Sequence, residues 1–368
     1  MTTLHPRGTP FAVETVKTAD LNALVRASLS HLNPEIDWGG GLDFAQDDLK
    51  LNTDGALHIR LPVPVDAPAL ENEILRTCGA EFGAENPVKS LRITLATPHH
   101  LTAVAAEGLA GVRNLIAVGS GKGGVGKSAM AVALASSLQS LGARVGLLDA
   151  DIYGPSLVRL LNLQEAPGIR DESRFVPASA RGMPCMSMGQ LAPAGRPLMW
   201  RGPMASGALK QMLERTLWGE LDYLLVDMPP GTGDIQLTLA QQIPISGAVL
   251  VTTPADLALD DVRHAANMFL QLKVPLLGVV ENMAGYTCAH CGATEHPFGS
   301  GGGASLAAEL SAPLLGSVPL DAALQRALDS GGELLGADIP SAPQLRQIAV
   351  QTAWQLHLRP LPEAVELS

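Results

Sequence analysis

The sequence contains little cysteine, few aromatic residues and fewer basic than acidic side chains. Four cysteines in 368 residues are too few for a disulfide scaffold, so a close pair of them favours metal or redox chemistry. Because 25 lysines and arginines stand against 36 aspartates and glutamates, for a net charge of −11, binding to nucleic-acid backbone is disfavoured as the main activity. Aromatic residues make up only 4% of the chain, which suits small apolar side chains that pack helices on a sheet.

Long apolar runs are also missing. The longer apolar stretches are interrupted by glycine, proline or charge before they reach the roughly 20 residues that span a membrane. Residues 1–6 show neither the basic patch nor the apolar core of a signal peptide. We therefore predict a cytoplasmic protein with no membrane partner and no nucleic-acid partner.

The length exceeds that of one average domain, and the residue pattern changes along the chain. Residues 1–98 alternate between helical and strand patterns and predict a small α/β domain. Residues 99–111 are predicted to be a polar linker, residues 112–358 the main domain, and residues 359–368 a short acidic tail. The residues of the small domain do not indicate its role.

In the main domain, short apolar runs of strand type alternate with stretches of helical spacing. This alternation predicts an α/β fold in which a mostly parallel sheet is flanked by helices. Ligands bind such sheets at the carboxyl ends of the strands. The predicted strands are 115–118, 145–148, 224–226, 249–252, 277–280 and 315–318.

A loop of the pattern G-x-x-x-x-G-K-[ST] joins the first of these strands to a helix, as in P-loop NTPases. Its backbone N–H groups and the positive end of the helix suit the phosphates of ATP. Lys127 is placed to neutralise the outer phosphates, and the Ser128 hydroxyl to bind Mg²⁺. The loop residues are Gly121, Lys122, Gly123, Gly124, Val125, Gly126, Lys127 and Ser128.

Acidic residues follow two of the later strands. Asp149 and Asp151 follow the strand at 145–148, and Asp227 follows the strand at 224–226. An aspartate at the tip of an apolar strand can hold the magnesium shell, which is the role predicted for Asp227. Asp149 and Asp151 can face the bound nucleotide, or they can be solvated acids that terminate a strand.

Cys288 and Cys291 form a C-x-x-C pair on a predicted loop. Two thiolates at this spacing can bind one soft metal, but they provide only half of a tetrahedral site. A thioredoxin-like redox pair is expected near the start of a helix after the first strand, which is not where this pair lies. A zinc site would need two further ligands, for which His290 and His296 are available.

Several motifs resemble known ATPase families. Lys122, the second lysine of the phosphate loop, is similar to the extra lysine of the MinD-type or deviant Walker ATPases. The string D-M-P-P-G-T-G-D at 227–234 resembles the Mrp/ApbC-type iron–sulfur cluster carriers, as do W-R-G-P-M at 200–204 and W-G-E-L-D-Y at 218–223. Residues 1–98 resemble, more weakly, the small domain that precedes the ATPase in some of these carriers.

The resemblance implies roles for single residues of the nucleotide site. It places Lys122 across a dimer, on the nucleotide of the other subunit. It places Asp151 beside the attacking water and Asp149 near the Mg²⁺ ion. Asn282 and Pro319 are implied to lie against the adenine base.

The resemblance also implies an occupant for the cysteine pair. Cys288 and Cys291 are implied to provide two ligands from each subunit to a [4Fe–4S] cluster shared by a homodimer. The position of the cysteine pair, after Asn282, favours this cluster over zinc as the bound group. Cys78 is predicted to pack on a helix and Cys185 in an apolar loop.

The expected function is that of an ATP-hydrolysing carrier, which assembles the cluster at the dimer interface and transfers it to apoproteins. Its partners are expected to be apo iron–sulfur proteins and cluster-assembly proteins. The alternative is a MinD/ParA-like positioning ATPase with a structural zinc at the C-x-x-C. A third possibility is a reductase component like the nitrogenase iron protein. The sequence names neither the recipients nor the cluster nuclearity, nor whether hydrolysis drives loading or release.

Overall fold

The computed structural model of the chain describes residues 18–42, 44–45, 47–83, 86–101, 109–151, 154–163, 166–171, 173–191, 202–231, 234–288 and 290–361. The predicted linker and acidic tail lie partly outside these ranges, as do the motifs at 200–204 and 227–234. The chain divides into two compact units, Met1–Ala96 and Thr97–Ser368.

The first unit contains a three-stranded sheet and two α-helices in its described part. Its elements are α1 (Thr18–Leu32), β1 (Leu49–Leu51), β2 (Ala56–Leu61), α2 (Ala67–Phe82) and β3 (Ser90–Leu95). Strand β1 is antiparallel to β2, and β2 is parallel to β3. Leu57, Ile59 and Leu61 are buried on β2 while the residues between them are more exposed, because successive side chains point to opposite faces of a sheet.

Helix α2 of this unit is fixed by its first turn and by its inner face. The Asp66 side chain accepts a hydrogen bond of 3.0 Å from the backbone N–H of Ala69, which caps the helix. Leu70, Ile74 and Cys78 are fully buried along one side, and burying each aliphatic side chain contributes about 1.5–3 kcal/mol. Burial raises the pKa of the Cys78 thiol to about 11, which keeps the thiol neutral. The prediction that Cys78 packs in the interior is confirmed.

The second unit is built on one large sheet. Its first elements are β4 (Leu115–Gly119), α3 (Lys127–Ser140), β5 (Val145–Asp149), α4 (Leu157–Leu160), β6 (Gly168–Arg170), β7 (Arg174–Val176), β8 (Ala178–Ala180) and β9 (Met183–Ser187). They are followed by α5 (Gly202–Arg215), β10 (Tyr223–Asp227), α6 (Asp234–Gln242), β11 (Gly247–Thr252), α7 (Asp256–Gln271) and β12 (Leu276–Thr287). The last are β13 (Thr294–Glu295), α8 (Gly302–Glu309), β14 (Leu314–Leu320), α9 (Ala322–Ser330) and α10 (Ala342–His357).

The described strands of this sheet number nine, in the order β13-β12-β11-β4-β10-β5-β9-β8, with β14 beside β12. Strands β4, β5, β9, β10, β11, β12 and β14 run parallel, and the short β8 and β13 are antiparallel to their neighbours. Every residue of β4, β5, β10 and β11 is buried, which explains why these strands are continuous apolar runs rather than alternating ones. The predicted α/β fold, with a mostly parallel sheet flanked by helices and preceded by a small domain, is confirmed.

The sheet contains three short strands that the sequence analysis did not predict, β8, β9 and β13, and β9 includes one of the cysteines. Cys185 lies on β9, where it pairs with Leu147 of β5, and not in a loop. The segment 183–187 contains a proline and a cysteine among methionines and lacks the β-branched residues that mark a strand. Cys185 is nonetheless fully buried, as predicted, and burial raises its pKa to about 12.

Strand β12 is also longer than predicted. It continues seven residues beyond the predicted end at Val280, through Asn282 and Met283 to Thr287, for 12 residues in all.

In the described part of the chain, no helix is both long enough and apolar enough to cross a membrane.

Candidate nucleotide and metal site

The phosphate loop lies between β4 and α3, with its two pattern glycines in close contact with other elements. A β-carbon on Gly121 would lie 2.0 Å from the backbone carbonyl carbon of Asp261 on α7. Gly126 has a left-handed φ of 84°, and a β-carbon there would lie 2.2 Å from Nδ2 of Asn282. Both positions therefore require glycine, and α3 starts directly after the second one.

The lysine of the loop forms a buried ion pair. Lys127 Nζ lies 2.5 Å from Asp227 Oδ1 and 3.5 Å from Ser128 Oγ, and the side chains of Lys127 and Asp227 are 6% and 0% exposed. Burial raises the pKa of Asp227, while Lys127 and the Ser128 hydroxyl act against this shift. The structure thus brings together three of the residues predicted for the phosphate and magnesium site.

Asp227 Oδ2 is a buried oxygen without a hydrogen-bond partner among the described residues. A buried carboxylate oxygen of this kind is costly unless a further group binds it. Mg²⁺ prefers oxygen ligands and is usually held by one or two protein oxygens together with phosphate and water. Asp227 and Ser128 therefore fit a magnesium ion.

Asp149 lies beside Asp227 on the neighbouring strand, and its implied place near the Mg²⁺ ion stays a prediction. Its Oδ1 accepts from the N–H of Asp151 (3.0 Å), and its Oδ2 accepts from the N–H of Leu157 (3.1 Å) and from Ser187 Oγ (2.9 Å). Burial, and secondarily the charge of Asp227, raises the pKa of Asp149 to about 7. Because both of its oxygens are engaged by protein donors, Asp149 holds together β5, the start of α4 and β9.

Asp151 lies in the loop that Asp149 anchors. It is 8% exposed, its Oδ1 accepts a hydrogen bond of 3.1 Å from the N–H of Gly154, and it lines the cavity beside the phosphate loop. The Gly231 N–H donates to the carbonyl of Ser120 (3.2 Å), which connects the segment after β10 to the same loop. The carboxyl ends of β4, β5 and β10 thus meet at one place.

The cavity beside the phosphate loop has a volume of about 690 Å³. Lys122, Lys127, Ser128 and Asp151 line it, as the sequence predicts for a nucleotide site. Sequence reasoning missed the other side of the cavity. The residues there are Pro155, Ser156, Arg159, Leu160, Pro230, Met283, Gln325 and Asp329.

The far wall of the cavity comes from α4 and α9, where Arg159 Nη2 lies 3.9 Å from Asp329 Oδ1. The sequence of α4 contains no pattern that predicts a position beside the cavity. On α9, Gln325 and Asp329 are four residues apart and share one helix face, which was the only signal in the sequence.

The two residues predicted to contact the base are not among the described lining of this cavity. Asn282 Nδ2 donates instead to the backbone carbonyl of Val125 in the phosphate loop, at 3.0 Å, and the side chain is 7% exposed. Pro319 lies on β14, directly after Val318, which pairs with Asn282. A base contact by either residue stays a prediction.

The cysteine pair lies on a hairpin formed by the end of β12 and by β13. The Cys288 N–H donates to the carbonyl of Ala293 (2.9 Å), and the Gly292 N–H donates to the carbonyl of Cys288 (2.8 Å). The backbone N–H groups of Cys291 and His290 lower the pKa of the Cys288 thiol, because they stabilise the thiolate. Cys288 is partly exposed and Cys291 is exposed, so both thiols are accessible.

The hairpin provides no further ligand in the described residues, where no group of three or more His, Cys, Asp or Glu side chains is placed to hold a metal ion. His296 Nδ1 lies 2.7 Å from the carbonyl of Ala284, so this ring is engaged by the backbone. The zinc hypothesis needed His290 and His296 as ligands, and the structure does not bring them together with the cysteines. Within the described residues, the hairpin of one chain offers two cysteine thiols to a metal.

A phosphate loop at the end of a central parallel strand, with a buried Lys–Asp pair at the next strand tip, defines a P-loop NTPase. A family model described as "ParA: NUBPL iron-transfer P-loop NTPase" matches residues 111–353. The chain therefore belongs to this family of iron-transfer P-loop NTPases.

Individual relatives agree with the family. The chain is 53% identical over 238 residues to an iron-sulfur cluster carrier protein of Pseudomonas fragi, covering 64% of this chain and 83% of the relative. It is 44% identical over 315 residues to an iron-sulfur cluster carrier protein of Escherichia coli K12, covering 83% and 84%. A nucleotide-binding protein of Archaeoglobus fulgidus, solved in complex with ADP, is 38% identical with a TM-score of 0.55 and covers 61% of this chain and 89% of that one.

Proposed function

We propose that this chain hydrolyses ATP and carries a [4Fe–4S] cluster between the cysteine pairs of two copies, for delivery to apo iron–sulfur proteins. The prediction of an iron–sulfur cluster carrier is confirmed by the family and its named relatives, and these relatives do not support a positioning ATPase. The observation that carries the finer proposal is the hairpin of Cys288 and Cys291. It offers two accessible thiols and no third ligand among the described residues.

The cluster is the cargo in this proposal, and two copies of the hairpin supply its ligands. A [4Fe–4S] cluster takes four cysteine thiolates, so one chain meets half of the requirement. The N–H groups that stabilise the Cys288 thiolate favour ligation, because the thiolate and not the thiol binds the metal. Cys78 and Cys185 are fully buried and hold neutral thiols, so they do not compete as ligands.

The nucleotide half of the proposal assigns roles to the residues at the phosphate loop. Lys127, which itself lines the cavity, leaves Asp227 Oδ1 and donates to the outer phosphates. Asp227 and Ser128 would hold a magnesium ion, which would supply positive charge against the phosphate oxygens. Asp151 orients the attacking water, and Lys122 reaches the nucleotide of the second copy.

Metal analysis of the full-length protein, purified without oxygen and reconstituted with iron and sulfide, tests this function. We expect about one [4Fe–4S] unit per two chains, in a dimer, and transfer of the cluster to an apo iron–sulfur protein. Cys185→Ser is the control for substitutions of Cys288 and Cys291, because the Cys185 thiol is buried on β9. Zinc in place of iron, or a full cluster on a strict monomer, would contradict the proposal. The cytoplasmic location and the cluster-assembly partners stay predictions.

A further inference from the structure

The side chain of Asn282 is in direct contact with the phosphate loop. Its Nδ2 donates to Val125 O at 3.0 Å, and the same nitrogen occupies the space that a side chain on Gly126 would need. Val125 and Asn282 are 2% and 7% exposed, so water does not compete for this hydrogen bond. A shift of the loop backbone at Val125 and Gly126 therefore has to move Asn282 or break its hydrogen bond.

Asn282 also lies on the strand that leads to the cysteine pair. Strand β12 ends at Thr287, and Cys288 follows directly. The strand rise of about 3.3 Å per residue places Cys288 roughly 20 Å along the chain from Asn282. One continuous strand thus connects the phosphate loop to the first cysteine.

The stretch between Asn282 and the hairpin contains a bend. The register of β12 against β14 shifts between Asn282 and Tyr286, and the pairing with β13 begins at Tyr286. Met283, directly after Asn282, has a left-handed φ of 57°, which is unfavourable for a residue with a side chain. Met283 also lines the nucleotide cavity. The bend therefore lies next to the nucleotide cavity, where a bound nucleotide would contact the strand.

We propose that Asn282 is a positioning residue that transmits the state of the phosphate loop along β12 to Cys288 and Cys291, with Met283 as the hinge. When phosphate binding shifts Val125 and Gly126, the Asn282 amide moves the strand, and the hairpin changes its exposure. The proposal deepens the function proposed above and rests on it for what the cysteines carry. The hydrogen bond from Asn282 to Val125 forms without an adenine base and without a cluster.

A ligand without a base separates positioning from base recognition. Tripolyphosphate with Mg²⁺ occupies only the phosphate loop, so a residue that reads adenine has no effect on its binding. We expect Asn282→Ala to weaken tripolyphosphate binding roughly tenfold, the scale of one buried hydrogen bond lost with its acceptor left unpaired. Ser317→Ala is the matched control, because Ser317 Oγ lies 3.2 Å from Glu281 Oε2 on the neighbouring strand and contacts the same end of the sheet. Equal tripolyphosphate affinity in Asn282→Ala and wild type would overturn the proposal.

Thiol alkylation of the metal-free full-length protein measures the transmission to the hairpin. Cys78 and Cys185 are buried, so N-ethylmaleimide modifies Cys288 and Cys291 in the folded protein. We expect saturating tripolyphosphate with Mg²⁺ to change the alkylation rate of wild type and Ser317→Ala by at least about fivefold, the lower range of coupling between sites. In Asn282→Ala at saturation this ratio should fall to about one. A wild-type ratio of one, or an unchanged ratio in Asn282→Ala, would refute the transmission.

Met283→Gly provides a second variant that does not depend on the stability of Asn282→Ala. Glycine adopts a left-handed φ without strain and makes the bend flexible. At saturating tripolyphosphate, the alkylation ratio of Met283→Gly should therefore fall toward one, whatever the affinity of this variant for the ligand. Retention of the full ratio in this variant would contradict the hinge. These measurements use no iron, so failure of cluster binding and failure of this proposal give different results.

Discussion

The phosphate loop and the cysteine hairpin are both connected to strand β12, yet they are built in opposite ways. The loop is surrounded by its own chain: Gly121 packs on α7, Gly126 on Asn282, and Lys127 pairs with Asp227 in the interior. The hairpin extends to the surface, where β13 has two residues and every residue from Cys291 to Gly301 is exposed. One region is completed by intramolecular contacts, and the other ends in two accessible thiols.

The difference indicates what each region needs from outside. The loop is already ordered around a space for phosphate, so binding requires an exchange of partners at Lys127 rather than folding. In the proposed function the hairpin presents half of a ligand set, which a second copy of the same hairpin or a recipient protein would complete. Substitutions in each region test two expectations. Each region should bind its own ligand without the other, and the thiols of the hairpin should respond to the ligand at the phosphate loop.

The largest effect is expected at the hairpin. Cys288→Ser and Cys291→Ser should each abolish iron binding and the brown colour of the reconstituted protein, because a cluster shared by two chains loses two of its four ligands in the dimer. ATP binding should be unchanged, since neither cysteine lines the nucleotide cavity as described. Iron and sulfide content together with equilibrium ATP binding measure this. A normal cluster in either variant would remove the hairpin from the proposed site.

The next effect is expected at the buried pair of the phosphate loop. Lys127→Ala leaves Asp227 buried without its counter-charge, which should lower the free energy of unfolding by about 3 kcal/mol and weaken ATP binding strongly. Urea denaturation and binding of labelled ATP measure the two quantities. Lys210→Ala is the control, because Lys210 Nζ lies 3.7 Å from Glu214 Oε1 on the surface of α5, where such a pair contributes about 0.5 kcal/mol or less. Equal effects of the two substitutions would argue against the buried pair.

A smaller effect tests whether the two copies meet at the nucleotide site as well as at the hairpin. Lys122→Ala should retain ATP binding and lose turnover, and Asp151→Ala should lose turnover too. In a mixed dimer, one site combines its own Asp151 with an intact Lys122 from the other copy, so about half of the wild-type ATPase rate per dimer should return. ATPase assays on purified heterodimers measure this. No recovery would show that Lys122 acts within its own chain.

The sequence was sufficient to predict the parts of the fold that depend on local pattern. The buried strands, the glycine loop before α3 and the acidic strand ends all arise from residue type and spacing along a short stretch. The topology then follows, because parallel strands joined by helices place their carboxyl ends together. Lys127, Ser128 and Asp227 were therefore predicted for the site from residue type and spacing, whereas the role of Asp151 was implied only by the family resemblance.

Contacts between distant segments could not be predicted in the same way. The hydrogen bond from Ser187 to Asp149 joins residues 38 positions apart, and Ser187 lies on a strand of atypical composition. The hydrogen bond from Asn282 to Val125 spans 157 positions and concerns a residue for which the family resemblance implied a contact with the adenine base. Sequence spacing carries no information on which buried acceptor a side-chain amide finds.

The smallest effect concerns two acids that lie side by side under the phosphate loop. Asp149 and Asp227 pair in register on β5 and β10, and burial raises the pKa of Asp149 to about 7 from an ordinary value of 3.8. Between about pH 4 and pH 7 the folded protein therefore holds a proton that the unfolded chain has released. The free energy of unfolding must fall as the pH rises through this window, by about 2 kcal/mol between pH 5 and pH 7.

Asp149→Asn should flatten this dependence, because an amide at this position does not titrate. Urea denaturation of the nucleotide-free and Mg²⁺-free protein at pH 5, 6 and 7 measures the slope, with Asp260→Asn on the surface of α7 as the control. Asp227 contributes in the same direction, since burial also raises its pKa, so a residual slope is expected in the variant. An undiminished slope in Asp149→Asn would mean that the folded protein holds its extra proton elsewhere. The hairpin carries no buried acid, so thiol alkylation rates of Asp149→Asn and wild type should agree at each pH.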